Sequence, residues 1–280
     1  MIAFLGTGLL GANFVRAFRR RGESVQVWNR SPAKARALAE IGAVAFDDPA
    51  DAVRGADRIH ITVSDDAAVD DLLERAAAGI GKDCIIVDHT TTAPGPTAAR
   101  VRRWADRGIR FQHAPVFMGP PNALDGSGTM LASGDKTLFE TLKPALEPMT
   151  GKLVYLGPDP VRATTIKLMG NLFLVALSAG LADMYALGDA HGVSTDEALQ
   201  IFEWFNMATM AQGRSRRMRD GDMSQPSWTL EMARKDVRLM NEAAAEGGAQ
   251  LTVMPAVAAL MDRLIAEGHS GEDFMTIGRG

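Results

Sequence analysis

A lysine and an asparagine four residues apart are the side chains of this sequence best placed to move a proton. Lys167 and Asn171 stand in the string TTIKLMGN, and this spacing puts both on one face of a helix. The residues that follow Lys167 are apolar, so the lysine lies at the edge of a buried stretch. Burial disfavours the charged form of lysine and makes it a better proton donor near neutral pH. The alternative is a solvated helix lysine, which is the commoner situation.

A glycine-rich string near the first residue could bind the phosphates of a dinucleotide. Gly6-Thr7-Gly8-Leu9-Leu10-Gly11 has the spacing G-x-G-x-x-G, after a predicted strand and at the start of a predicted helix. The first glycine permits a tight turn, the second lets the backbone approach a pyrophosphate, and the third allows close helix packing. The helix N-terminus supplies N–H groups to the anion. An ordinary glycine turn is the alternative, but the context predicts a dinucleotide site.

The end of the second predicted strand indicates which dinucleotide binds. An acidic residue here would bond to the ribose 2′-hydroxyl of NAD, whereas the 2′-phosphate of NADP needs cations. The sequence reads Trp28-Asn29-Arg30-Ser31, with Lys34 following and no carboxylate among them. The Arg30 guanidinium can fork onto a phosphate. We therefore expect NADP(H), contacted by Asn29, Arg30, Ser31 and Lys34; a solvated Arg30 is the alternative.

Two more cofactor contacts are predicted at the carboxyl ends of later strands, where ligands collect in such sheets. Val63 ends the strand predicted over residues 58–63, and Thr91 follows the strand that ends at Asp88. A hydroxyl group of residues 90–92 could contact the cofactor, or these threonines could cap the next helix.

The elements that must position these residues alternate in the first half of the chain. Strands are predicted over residues 2–5, 24–28, 58–63 and 84–88, and helices over 9–21, 32–40, 67–78 and 96–107. This order is typical of an α/β Rossmann domain with a doubly wound, mainly parallel sheet. Later strands over 111–116, 130–132 and 153–155, with a helix over 136–146, are expected to extend the sheet to about residue 157.

The second half is predicted to be all helix. The cluster Gly157-Pro158-Asp159-Pro160 marks the boundary, which gives an NADP-binding domain over 1–159 and a helical substrate and oligomerisation domain over 160–280. A helix over 161–190, roughly 45 Å long, is expected to join the domains and to contribute to an oligomer interface. Its uncharged part, 168–182, is shorter than the ~20 residues of a membrane span, so a buried core helix is predicted. Further helices are predicted over 195–210, 230–246 and 254–268.

Composition limits the class of protein. A chain of 280 residues with 46% apolar and 23% charged residues is ordinary for about two globular domains. The formal net charge of −4 gives no general attraction to nucleic acid or a membrane. Cys84 is the only cysteine and the five histidines are scattered, so neither a disulfide nor a metal site is expected. The N-terminal residues lack an export signal, and we expect a cytoplasmic protein.

Taken together, the motifs resemble those of the β-hydroxyacid dehydrogenases, the 3-hydroxyisobutyrate dehydrogenase group, which includes semialdehyde and glyoxylate reductases and is related to the imine reductases. The resemblance rests on FLGTGLLG, WNRSPAK, VDHTTTAP, the APV of residues 114–116, K-x-x-x-N, the RKDV of residues 234–237 and the ending GHSGEDF. It implies a 6-phosphogluconate dehydrogenase-like architecture, with a long interdomain helix and a homodimer or homotetramer. It also implies that Lys167 is the general acid or base, that Asn171 orients it or the substrate oxygen, and that Lys235 reaches the cofactor.

One segment departs from the family. Where the family usually has D-A-P-V-S-G-G, whose last three residues hold the substrate carboxylate, this chain has His113 and then Ala114 before the predicted substrate contacts. Those contacts are Pro115, Val116, Phe117, Met118 and Gly119. Phe117 removes a hydroxyl and adds apolar area, which argues against a small hydroxyacid; the alternative is that Phe117 and Met118 are core residues.

A cluster of large side chains lies in the part of the chain that closes over the substrate in relatives. Its members are Phe202, Trp204, Phe205, Met207 and Met210. A stripe of this kind is more often core than pocket. If it is pocket, the substrate is larger or less polar than a semialdehyde.

The sequence therefore predicts an NADPH-dependent oxidoreductase for a small molecule. Hydride would pass between nicotinamide and the carbonyl or hydroxyl carbon of a 3-hydroxyacid or semialdehyde, with Lys167 as general acid or base. One alternative is a reductase for bulkier ketones or imines without a carboxylate, although Lys167 argues against a typical imine reductase. The other is a non-catalytic NADPH-binding module, against which the intact Lys167 and Asn171 argue.

Overall fold

The computed structural model describes residues 1–279, which divide into two compact units, Met1–Leu172 and Phe173–Gly280. The division lies within a long helix, which begins at Arg162, just after the expected boundary at residue 159. Ala163 and Thr164 are buried in the first turn of this helix and form hydrogen bonds to residues of the first unit. The first turns of the helix therefore belong to that unit.

The first unit is built on a six-stranded parallel sheet with the strand order β3-β2-β1-β4-β5-β6. The strands are β1 (Ile2–Leu5), β2 (Val25–Trp28), β3 (Val44–Ala45), β4 (Arg58–Ile61), β5 (Ile85–Asp88) and β6 (Arg110–His113). This is the order of dinucleotide-binding sheets, with the direction of winding reversed between β1 and β4. The predicted α/β Rossmann class is confirmed.

Both faces of this sheet are buried, as parallel sheets require. Along β1, Ile2 and Phe4 join one apolar cluster while Ala3 and Leu5 join the other, because neighbouring side chains on a strand point to opposite faces. The helices that cover the sheet are α1 (Leu9–Arg20), α2 (Pro32–Arg36), α3 (Pro49–Val53), α4 (Asp66–Ala76) and α5 (Pro94–Asp106). The short elements β3 and α3 were not predicted, because two to five residues show no clear periodicity.

The expected extension of this sheet is wrong. The chain leaves the sheet after His113 and forms a separate three-stranded sheet of β7 (Val116–Phe117), β8 (Thr129–Ala132) and β9 (Lys152–Tyr155). β7 runs antiparallel to β8, and β8 parallel to β9. Pro115 lacks the N–H group that a continuous strand would need, so it separates β6 from β7. The helices α6 (Pro120–Asp125), also unpredicted, and α7 (Lys136–Leu146) complete this part.

The second unit is helical, as predicted. The long helix α8 (Arg162–Ala190) runs into it, and α9 (Thr195–Leu199), α10 (Ile201–Trp204), α11 (Met207–Asp220), α12 (Leu230–Glu246) and α13 (Met254–Leu264) follow. The helix predicted over 195–210 is interrupted, since Phe205 is extended and Asn206 caps α11 by accepting a hydrogen bond from the Thr209 N–H. Asp183 of α8 accepts bonds from backbone N–H groups of residues 252–254 before α13.

The prediction that residues 168–182 form a buried core helix is wrong. In the most apolar window of α8 only 6% of the residues are buried, and Leu172 and Val175 are about 70% exposed. Among the described residues α8 is the one helix that is long and apolar enough to cross a membrane, by length and composition alone. The aromatic cluster of the second unit is also surface and not core, with Trp204 67% exposed.

A fully buried arginine joins α4 to α5 beside the sheet. Arg100 of α5 donates to Asp70 at 2.7 Å and to Asp66 at 2.9 Å, and its guanidinium lies 3.9 Å from the buried Asp88. Burial would raise the pKa of Asp70, but the hydrogen bonds and charge of Arg100 hold that pKa below its usual value. Removal of Arg100 would leave Asp66 and the buried Asp88 without this cation, whereas Asp70 would keep its 2.6 Å bond from Arg103.

We therefore expect Arg100→Met to lower the free energy of unfolding of the first unit by about 3–5 kcal/mol. Urea denaturation followed by tryptophan fluorescence measures it. Arg102→Met is the matched control, because Arg102 lies on the same helix and is exposed. Equal stability of the two variants would show that the buried cluster contributes nothing.

Candidate cofactor and proton-donor site

The glycine string forms the turn between β1 and α1, at the point where the sheet reverses its winding. Gly6 has φ +95°, and a Cβ at this position would overlap the Thr62 carbonyl. A Cβ on Gly11 would overlap the Gly6 carbonyl, so the third glycine lets α1 approach the turn. Both glycines are therefore required by close backbone packing, as predicted.

The middle glycine and the helix N-terminus leave room for a dinucleotide phosphate. A Cβ on Gly8 would meet nothing within 4 Å, so the backbone is open on this side. No side chain of the described residues caps α1, which leaves its first N–H groups free for an anion. The buried Thr7 hydroxyl likewise finds no hydrogen-bond partner within residues 1–279. These groups fit a pyrophosphate.

The end of β2 is tied to the glycine turn. Asn29 accepts a hydrogen bond from the Thr7 N–H at 2.9 Å and donates to the Ser31 carbonyl at 3.1 Å. Asn29 therefore fixes the turn against the start of α2, where Arg30 and Lys34 line the same cavity. Two cations and a hydroxyl consequently line the cavity at the end of β2, the place from which dinucleotide-binding sheets contact the 2′-substituent of the ribose.

Two buried histidines, His60 and His89, are hydrogen-bonded to each other next to the cavity, which His89 lines. Arg58 Nε can only donate, so its 3.2 Å bond makes His60 Nε2 the acceptor and places the His60 proton on Nδ1. That proton is donated to His89 Nε2 at 2.9 Å, and His89 Nδ1–H is donated to the Ala114 carbonyl at 2.7 Å. Burial lowers the pKa of His89 to about 4, so the ring is neutral at neutral pH.

The loop after β5 connects the sheet to the proton-donor helix. Thr90 Oγ1 accepts a bond from the Val63 N–H at 3.1 Å, which joins the ends of β4 and β5. Thr92 bonds through Oγ1 to His113 at 3.1 Å, and its carbonyl accepts a bond from the Thr164 hydroxyl at the start of α8. His113 therefore ties this loop to the end of β6.

These bonds bring Lys167 into the cavity. Thr164 is fully buried and Lys167 is 8% exposed, three residues on along the same helix face. Lys167 Nζ donates to Asn171 Oδ1 at 2.9 Å and lies 4.3 Å from the centre of the Phe117 ring. Burial lowers the pKa of Lys167, and no neighbouring charge contributes. The ammonium group is therefore easier to deprotonate than that of an exposed lysine.

The structure brings most of the predicted site residues into one cavity of about 560 Å³ in the first unit. They are Gly6, Gly8, Leu9, Leu10, Gly11, Asn29, Arg30, Ser31, Lys34, Val63, Thr91, Val116, Met118 and Lys167. Asn171 and Phe117 touch Lys167 without lining the cavity, and Thr7 bonds to Asn29. Pro115 and Gly119 flank β7 outside the lining. Lys235 lies in the second unit on α12, 2.8 Å from Asp236.

Several lining residues were missed. They are Trp28, Thr62, Ser64, Ala68, Asp71, Leu72, Arg75, His89 and Thr90, although a role for His89 or for a threonine of residues 90–92 was considered. Arg75 stacks over the Trp28 ring at 5.2 Å and pairs with Asp71 at 3.7 Å. Arg75 comes from α4, far along the chain from β2, so only the strand order could have indicated it.

Two family models match the chain. Residues 1–157 match the NAD binding domain of 6-phosphogluconate dehydrogenase. Residues 162–279 match the NAD-binding domain of NADP-dependent 3-hydroxyisobutyrate dehydrogenase. The predicted family resemblance and the predicted dinucleotide cofactor are confirmed.

Curated relatives are similar over much of the chain. Glyoxylate/succinic semialdehyde reductase 1 of Arabidopsis thaliana is 28% identical, over 92% of this chain and 89% of the relative. Cytokine-like nuclear factor N-PAC of Anopheles gambiae is 31% identical over 74% of this chain, which spans only 37% of that longer protein.

Solved structures agree in fold. The reductive aminase from Aspergillus terreus, in complex with NADPH4, cyclohexanone and allyl amine, is 26% identical, with a TM-score of 0.88 over 99% of this chain and 97% of its own. An imine reductase from Myxococcus stipitatus in complex with NADP+ has a TM-score of 0.89 at 21% identity, over 100% and 99% of the chains. Because the two family models together match residues 1–157 and 162–279, the chain belongs to the NAD(P)-dependent oxidoreductase family of 6-phosphogluconate and 3-hydroxyisobutyrate dehydrogenases.

Proposed function

We propose that this protein is an NADPH-dependent reductase that interconverts a carbonyl and a hydroxyl group, with Lys167 as the general acid or base. One observation carries the proposal. The buried Lys167 lines the same cavity as the glycine turn, so a proton donor faces the space that the dinucleotide would fill. A non-catalytic NADPH-binding module would have no reason to bury an ammonium group there, because burial of a charge costs free energy.

Lys167 and Asn171 have different roles in the reaction. The reduced nicotinamide, when bound, supplies the hydride to the carbonyl carbon. Lys167 donates a hydrogen bond to the carbonyl oxygen and delivers its proton as charge develops there. Asn171 Oδ1 holds the Nζ group of Lys167 in place by its 2.9 Å bond. In the oxidation direction the neutral amine accepts the proton of the alcohol.

Three substrate classes have support. The name of the Arabidopsis relative supports a semialdehyde with a carboxylate. The phenyl ring of Phe117 beside Lys167 supports a carbonyl compound without one. The imine class is supported by the names of the structural relatives, for example the Aspergillus reductive aminase.

Loss of the proton donor should abolish turnover and leave cofactor binding intact. We expect Lys167→Met, which keeps the bulk of the side chain, to lower kcat by about 10²–10⁴-fold, the usual contribution of a positioned acid. The Kd of NADPH, measured by fluorescence titration, should stay unchanged. Lys82→Met is the control, because Lys82 is exposed and outside the cavity. A Lys167→Met enzyme with normal kcat would refute the mechanism.

The cations at the end of β2 should make the protein prefer NADPH to NADH. Arg30→Ala removes a charge-assisted contact with the 2′-phosphate, so we expect the Kd of NADPH to rise ~10- to 100-fold and that of NADH to change little. Arg36→Ala is the matched control, since Arg36 ends the helix α2 that follows Arg30, pairs with Asp47 and does not line the cavity. An equal loss for both cofactors would remove the assignment.

We also propose that the protein is a cytoplasmic homo-oligomer in which a second copy covers the exposed apolar face of α8. Helices that are apolar all round are normally buried, and large exposed apolar patches mark interfaces. The net charge of −4 speaks against an anionic lipid surface as the cover.

A pair of charges on this face should separate the copies. We expect the wild type to elute as a dimer or tetramer in size-exclusion chromatography with light scattering. Leu172→Glu combined with Val175→Glu should yield monomers, because carboxylates resist burial in an apolar interface. A monomeric wild type, or one that sediments with lipid vesicles, would contradict the proposal.

A further inference from the structure

The ring of Phe117 occupies a defined place between β7 and the first turns of α8. Its centre lies 4.3 Å from Lys167 Nζ, within the range of a cation–π contact. A Cβ on Gly170 would overlap Cζ and Cε1 of the same ring. Only glycine at position 170 therefore lets the ring lie against the helix, one turn from the ammonium group.

The contacts of Lys167 limit what else it can bind. An ammonium group has three N–H donors. One is bonded to Asn171 Oδ1, and the ring face of Phe117 occupies a second direction. One donor is left, which suffices for a single oxygen of the substrate. The face of an aromatic ring carries partial negative charge, so a carboxylate beside it is repelled.

We propose that Phe117 is a positioning and specificity-determining residue. Its ring face holds the Lys167 ammonium group and leaves that group able to bind one substrate oxygen. This restriction selects carbonyl substrates without a carboxylate near the reacting carbon. The selection of substrate rests on the proposed reductase function. The contact between ring and ammonium does not, because it exists in the protein without substrate.

No neighbouring charge shifts the pKa of Lys167, so the effect of the Phe117 ring on that pKa can be measured. The cavity also contains the titratable side chains of Arg30, Lys34, Asp71, Arg75 and His89. None of these shifts the pKa of Lys167, for which burial is the cause. Burial lowers this pKa, whereas a π face favours the charged form and opposes the fall.

The first experiment removes the ring and keeps the volume. In Phe117→Leu the ammonium loses the π face but stays buried, so we expect the pKa of Lys167 to fall by about one further pH unit. The pKa is measured from the ¹³Cε shift of labelled lysines in the protein without cofactor, with Lys167→Met to assign the signal. Phe117→Met serves if the leucine variant folds poorly. Phe46→Leu is the matched control, because Phe46 lies outside the cavity.

The second experiment tests the selection with isosteric pairs of aldehydes. Glyoxylate is compared with 2-methylpropanal, and succinic semialdehyde with 4-methylpentanal, by NADPH consumption. We expect wild type to favour the neutral member of each pair. Phe117→Ser removes the ring face and adds a hydroxyl donor, so the ratio of kcat/KM should move toward the carboxylates by about tenfold or more.

The outcomes are separable. An unchanged pKa of Lys167 in Phe117→Leu overturns the positioning role, whether or not the protein reduces aldehydes. Wild-type preference for the carboxylates, or an unchanged ratio in Phe117→Ser, overturns the selection. Absence of NADPH consumption with every substrate rejects the proposed function instead, and the pKa measurement still decides the ring contact.

Discussion

The site depends on the hydrogen bonds that fasten the first turn of α8 to the end of the sheet. Thr164 donates to the Thr92 carbonyl after β5, and the Ala163 N–H donates to Ser133 Oγ after β8 at 2.9 Å. Both donors belong to the first turn of the helix, where N–H and hydroxyl groups lack partners inside the helix. These two bonds set the rotation of α8, and the rotation places Lys167 in the cavity.

The glycine turn imposes the complementary constraint. Parallel strands bring their carboxyl ends to one edge, and the reversal of winding between β1 and β4 opens a crevice there. The turn at Gly6 and Gly11 keeps the backbone close to β4, so the N-terminus of α1 points its free N–H groups into this crevice. An anion is favoured at the glycine turn, and the buried ammonium group of Lys167 lines the same cavity.

The sequence predicted what is encoded locally. The glycine spacing, the cations after β2 and the spacing of Lys167 and Asn171 each lie within one turn or one helix, so the pattern alone carries them. The contacts between distant parts of the chain were not predicted. Phe117 was expected at the site, but its contact with Lys167 was not, and Arg75 was missed. Arg75 of α4 meets Trp28 of β2 only in the folded unit, and Phe117 reaches Lys167 only because β7 leaves the main sheet. The cofactor contact expected of Lys235 stays a prediction.

The wrong predictions have physical causes of the same kind. The apolar stretch of α8 was predicted to be core because its hydrophobicity indicates that this surface is covered. Hydrophobicity does not indicate whether the same chain or another molecule covers it. The strand over 111–116 was taken as one element, although Pro115 cannot donate to a ladder and the chain changes sheets there.

The pH dependence of a single turnover shows whether the buried Lys167 ammonium supplies the proton for reduction. NADPH-loaded enzyme is mixed with 2-methylpropanal across pH 6 to 11, and the loss of NADPH absorbance is followed. Because Lys167 must be protonated, we expect the rate to be constant at low pH. The rate should then fall with one ionisation as the pH rises through the pKa of Lys167. Since burial lowers that pKa, the fall should begin below the pH at which an exposed lysine deprotonates. A rate that stays constant to pH 11 would contradict the claim.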